Sequence, residues 1–236
     1  MKKLVTVAAV IAAFGLVNAA SAADMPTKAP FVKAPIAPVY NWTGFYVGGS
    51  LGYGWGSSDW TFDPVGSSPT PNPIKSNGWV GGGQIGYQHQ WNNIVLGVEA
   101  QYLFGGLKGS ATCPNPTFAC NIDRVDNIFL VGPRVGLAFA NWMPYVTGGY
   151  ASARVKSIDF SPTVSEPSSS QNPGYFIGGG LDYMLMPNVI VGIEYDHLSL
   201  KSQHQVSPVF SPGDDRNVDF KGDMVRGRVS YLFNWP

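Results

Sequence analysis

A chain of 236 residues suits one domain, and its 13% charged side chains fall well short of the ~25% of an ordinary soluble domain. Acidic and basic residues balance at zero net charge, which excludes a general electrostatic attraction to nucleic acid. Gly and aromatic residues are abundant without a long uninterrupted apolar run, so apolar surface is spread over alternating positions.

The chain opens with Lys2 and Lys3, an apolar core from Leu4 to Val17, and the small residues Ala20-Ser21-Ala22. This order predicts a cleaved export signal over 1–22, because the apolar core is shorter than the ~20 residues that span a bilayer. Residues 23–42 read as an extended periplasmic linker, since Pro26, Pro30, Pro35 and Pro38 forbid regular pairing. At Trp42 the composition turns to Gly and aromatics.

From there, period-2 alternation predicts strands near 44–55, 78–90, 94–105, 126–139, 145–156, 174–185, 189–200 and 223–233. In the first, Phe45, Val47, Leu51, Tyr53 and Trp55 share a face opposite Gly48, Ser50, Gly52 and Gly54. In the last, Val225, Val229, Tyr231 and Phe233 oppose Arg226, Arg228 and Ser230. The links after strands two, four and six are short: Trp91-Asn92-Asn93, Ala140 to Pro144, and Met186-Pro187-Asn188. The others, 56–77, 106–125, 157–173 and 201–222, are long and rich in Ser, Pro, Asn and Asp.

A β-sandwich also alternates, but it gives no reason for a regular short–long sequence of links. Outer-membrane barrels have short periplasmic turns and longer external loops. In hydrocarbon every backbone group needs an internal partner, so strands cross only as a closed barrel. The predicted fold is therefore all-β, an eight-stranded antiparallel transmembrane β-barrel over 43–233, with a short extension over 234–236. Trp55, Trp79, Tyr87, Tyr102, Phe104, Phe139, Tyr145, Tyr183 and Phe233 are the candidates for its interfacial aromatic girdles.

The opposite faces carry Glu99, Arg134, Arg154, Asp182, Glu194, Asp196, Arg226 and Arg228. Four acids and four bases can pair completely inside a lumen that side chains just fill, which predicts a plugged interior over a water path. Inward glycines such as Gly178, Gly180 and Gly192 leave room for these long side chains. The runs Gly81-Gly82-Gly83 and Gly178-Gly179-Gly180 are not phosphate loops, because they sit within strands with no helix following.

Cys113 and Cys120 are a candidate disulfide in a polar loop, with two free thiols as the alternative. His89, His197 and His204 show no metal-ligand spacing, and no cofactor is expected. Asp196 and His197 alternate in direction along a strand and so do not meet at one catalytic site; Asp214 and Asp215 read as solvated turn residues. No enzyme activity is expected.

The chain resembles the small outer-membrane β-barrels of α-proteobacteria, the Omp25/Omp31-like "porin family" proteins. The resemblance rests on the signal ending Ala-Ser-Ala-Ala-Asp, the Pro/Lys/Ala linker, and the run from Asn41 through Trp42-Thr43-Gly44-Phe45-Tyr46 to Gly49. Pro144 to Gly149, Gly192-Ile193-Glu194-Tyr195 and Val225 to Phe233 extend it over essentially the whole chain. It implies residence in the cell outer membrane of a Gram-negative bacterium, contact with its lipid, and insertion by the barrel-assembly machinery. It also implies a structural role in the cell envelope; a narrow channel for small solutes and a surface-loop adhesin or ligand-binding protein are the alternatives. The chain departs from the pattern at its end. Related assembly signals place Gly where Arg228 stands, and Asn234-Trp235-Pro236 extends past Phe233.

Overall fold

The computed structural model describes residues 40–63, 74–110, 119–161, 164–201, 205–206 and 215–234. Its elements are all strands: β1 (Gly44–Asp63), β2 (Ile74–Trp91), β3 (Ile94–Gly105), β4 (Leu107–Ser110), β5 (Ala119–Leu137), β6 (Trp142–Ser161), β7 (Val164–Met186), β8 (Val189–Leu200), β9 (Gln205–Val206) and β10 (Asp215–Phe233). β4 continues β3 past Gly106 and keeps the same two neighbours, β2 and β5. The two-residue β9 pairs with β10, as β8 does. Each remaining strand pairs antiparallel with its sequence neighbour, and β1 pairs with both β2 and β10. The sheet thus closes as an eight-stranded barrel with no free edge.

The three short links are tight turns at one end. Asn92 and Ala140 take the left-handed backbone there, with φ of 52° and 53°. These turns also bond to the adjoining hairpin: Ala138 N–H donates to Asn93 O at 2.7 Å, Met184 N–H to Asn141 O at 2.8 Å, and Leu232 N–H to Asn188 O at 2.7 Å. At the opposite end the regions read as long loops are in large part strand. β1 runs on to Asp63, β6 to Ser161, and β7 starts at Val164, so its prolines Pro167 and Pro173 lie within a ladder opposite Ile158 and Ser152. Antiparallel pairing makes this possible, because alternate residues along a strand leave their N–H unused by a given neighbour.

Alternation divides the wall into two faces. Phe45, Val47, Leu51, Ile85, Val98, Val146, Ile177, Ile193, Val229 and their like point outward and are exposed. From Phe45 to Trp55 the first strand climbs ten residues, ~33 Å of chain, which at a tilt of ~40° is ~25 Å of height. That equals the apolar band of a bacterial outer-membrane barrel.

The interior is layered. At the turn end Trp42, Val95, Met143, Met184, Ile190 and Leu232 form an apolar cluster. At the far end Val80, Leu103, Leu130, Phe176, Leu198, Phe220 and Met224 form another. Polar and charged side chains occupy the level between.

A buried ionic layer in the barrel lumen

Seven of the eight charges assigned to the lumen are buried: Glu99, Arg134, Asp182, Glu194, Asp196, Arg226 and Arg228. They come from five strands, each placed inward by the two-residue repeat. Arg228 is the hub. Its Nη2 donates to Glu99 Oε2 at 2.5 Å, while its Nη1 donates to Glu99 Oε1 at 3.1 Å and to Glu194 Oε2. Arg226 Nη2 donates to Glu194 Oε1 and to Asp196 Oδ2, both at 2.5 Å, and its Nη1 reaches Ser50 Oγ at 3.2 Å. Arg134 donates to Asp182 Oδ2 and lies 3.5 Å from Glu99 Oε2.

The eighth, Arg154, does not join them. It is exposed on the outer wall, on the same face of β6 as Val146 and Tyr150. The interior of the described barrel therefore holds four carboxylates against three guanidiniums, so the expected charge balance does not hold.

Tyr145 also departs from its expected position. The sequence pattern expects it in a girdle, but it shares its face of β6 with buried Met143 and Thr147 and is only 5% exposed. Its ring lies 3.6 Å beneath the Arg134 guanidinium, and its hydroxyl donates to Glu194 Oε2 at 2.6 Å. Of the other girdle residues, Trp55, Trp79, Tyr87, Tyr102, Phe104, Phe139 and Phe233 are exposed on the outer wall. Tyr183 is half-buried and packs against Trp142 at 4.6 Å.

Several members of the layer have no counterpart in the sequence reading. Tyr46 donates to Glu99 Oε2 at 2.6 Å. Gln101 Nε2 bridges Glu99 Oε1 at 2.5 Å and Glu194 Oε1 at 3.0 Å. Gln84 Nε2 donates to Ser230 Oγ at 2.9 Å. With these, all eight barrel strands contribute a side chain. The signal for Tyr46 was present, because it falls on the face of Gly48 and Ser50.

Glycine makes the space. A Cβ at Gly178 would strike Asp196 Oδ1, and one at Gly192 would strike Asp182 Oδ1. Both carboxylates lie flat against a wall that has no side chain there.

Trp42, at the end of the predicted linker, is fully buried in the turn-end cluster. Its indole N–H donates to Ala140 O at 3.2 Å, its backbone N–H to Gln90 Oε1 at 2.9 Å, and its carbonyl accepts from Gln88 Nε2 at 2.7 Å. The predicted signal, the linker before Tyr40, Cys113, His204 and Asp214 lie outside the described residues, and so does any Cys113–Cys120 pairing.

On the outer wall Asp223 accepts from Tyr195 Oη at 2.7 Å and lies 2.7 Å from His197 Nδ1. Asp196 points inward and His197 outward, so the adjacent pair forms no joint site. Among the described residues no group of three or more His, Cys, Asp and Glu is placed to hold a metal ion.

Residues 9–233 match the family described as "Outer membrane protein beta-barrel domain". The chain belongs to this family. It is 28% identical to the 25 kDa outer-membrane immunogenic protein of Brucella abortus over 231 residues, 97% of this chain and 92% of that one. It is 29% identical to the 31 kDa outer-membrane immunogenic protein of Brucella melitensis, over 86% of this chain and 90% of that one. Among solved structures, the outer-membrane protease OmpT of Escherichia coli aligns with a TM-score of 0.50 and 11% identity, over 80% of this chain and 97% of that one. At that identity the likeness concerns the fold alone. Family membership and named relatives place this Omp25/Omp31-type barrel in the outer membrane.

Proposed function

We propose that this outer-membrane barrel is a sealed structural element of the cell envelope, its lumen plugged by the ionic layer between two apolar layers. The observation that carries the reading is the joining of Glu99, Glu194, Arg226 and Arg228 into one buried network tied to Tyr46, Gln101 and Tyr145. Charges that line a water path stay accessible to solvent. Exposure of at most 4% at Glu99, Glu194, Arg226 and Arg228 supports a lumen without a continuous column of water. In this reading the partners are the lipid of the outer membrane and the machinery that inserts the barrel.

Single-channel recording of the refolded protein in a planar bilayer tests it. Inserted protein, recognised by a gel mobility that changes on boiling, is expected to be electrically silent. Steady, reproducible openings would overturn the plug and move the assignment to a narrow channel for small solutes.

A further inference from the structure

The lipid-facing wall is not uniformly rough. On β1, β2, β3 and β5 it carries a groove of about 390 Å³, floored by Gly83 and rimmed by Val47, Ile85, Tyr102, Phe104 and Phe129. The floor is open: a Cβ on Gly83 would meet nothing nearer than Gly48 O at 3.7 Å.

The same strands lead upward to two cations. Lys108 on β4 pairs with Asn77 on β2, and Lys75 lies two residues beyond Asn77 on the same face. Both lysines are exposed and sit above the outward Trp79. From Gly83 to Asn77, the partner of Lys108, is six residues, ~20 Å of strand, which at a tilt of ~40° is ~15 Å of height, about the hydrocarbon thickness of one leaflet.

We propose that this groove and the two lysines form a site for one phosphorylated lipid of the outer leaflet. An acyl chain lies over Gly83 between Ile85 and the Tyr102–Phe104 pair, and the phosphate is held by Lys75 and Lys108. The apolar groove alone would accept any chain, and the lysines alone would attract any anion. Their placement one leaflet apart on the same strands selects an anionic lipid. The proposal rests on the outer-membrane location and is independent of whether the lumen is plugged.

The test is native mass spectrometry of the protein refolded in mixed vesicles of phosphatidylcholine and phosphatidylglycerol. One phosphatidylglycerol is expected to stay bound through delipidation. Gly83→Leu, which fills the groove, and the double variant Lys75→Gln/Lys108→Gln are each expected to lower retention by roughly tenfold. The double variant alters only exposed side chains, so it reads the site even where Gly83→Leu fails to fold, and boiling-dependent gel mobility monitors folding of each. Unchanged retention in either folded variant, or equal retention of the two lipids, would overturn the site. Displacement of the bound lipid by inorganic phosphate would overturn the role of the acyl groove.

Discussion

Removing the positive charge of Arg226 and removing the negative charge of Asp196 have sharply different consequences. Arg226 is 1% exposed and donates 2.5 Å hydrogen bonds to both Glu194 and Asp196. Arg226→Met leaves two buried carboxylates facing each other with Arg228 as the remaining cation on Glu194. At an effective dielectric of 20 an ion pair ~4 Å apart contributes ~4 kcal/mol, and breaking a buried pair from one side costs about 3–5 kcal/mol. A loss of that size is expected. Asp196→Asn keeps the shape and removes one of four carboxylates that face three guanidiniums. Arg226 keeps Glu194, and Asp196 Oδ1 has no hydrogen-bond partner among the described residues to lose. A change within about 1 kcal/mol is expected. Both variants are measured by equilibrium urea unfolding in lipid vesicles, followed by tryptophan fluorescence, with the denaturant slope checked for constancy. If Asp196→Asn is as damaging as Arg226→Met, the carboxylate excess has no energetic meaning and the reasoning is refuted.

Three further outcomes follow from the geometry. Trp42→Ala removes a fully buried indole from the turn-end cluster and should cost about 3–5 kcal/mol in the same unfolding assay; a loss below about 1 kcal/mol would mean that the residue is not seated there. Gly86→Ala places a methyl group against the Tyr46 ring and hydroxyl, displacing it from Glu99. It should lower stability by about 1–3 kcal/mol, most of which the double variant with Tyr46→Phe should not add to; full additivity would show that the two sites are uncoupled. Cys113 and Cys120 should resist alkylation until reduced, as read by intact mass, and labelling of the unreduced protein would rule out their disulfide.

The barrel was legible because its signals repeat. Strands such as Leu96–Phe104 and Val225–Phe233 alternate large apolar with polar or glycine, and the turns fall where Asn and Pro interrupt. The two displaced residues lie on β6, where alternation is faint. Thr147-Gly148-Gly149 and Ala151-Ser152-Ala153 offer small side chains on both faces, and Ser152 is buried alongside its neighbours. Composition therefore gave no phase by which to set Tyr145 inward and Arg154 outward. The strand extensions were hidden for another reason. Ser-, Pro- and Asn-rich runs satisfy water and a ladder equally well, and only pairing with a neighbour tells the two apart. Gln101 and Gln84 were invisible as network members because a neutral amide has no required partner until charges surround it.

The order in which the strands arrive matters for the charges they carry. Glu99, Asp182, Glu194 and Asp196 all stand on β3, β7 and β8, whereas two of the three interior guanidiniums ride on β10. A barrel lacking its last strand holds four carboxylates against Arg134 alone. Docking of β10 along β1 and β8 thus seals the wall and neutralises the interior in one event. Arg228, which stands where related terminal signals place glycine, is the residue through which that closing strand grips both Glu99 and Glu194. Until that strand docks, the interior carboxylates lack most of their partners.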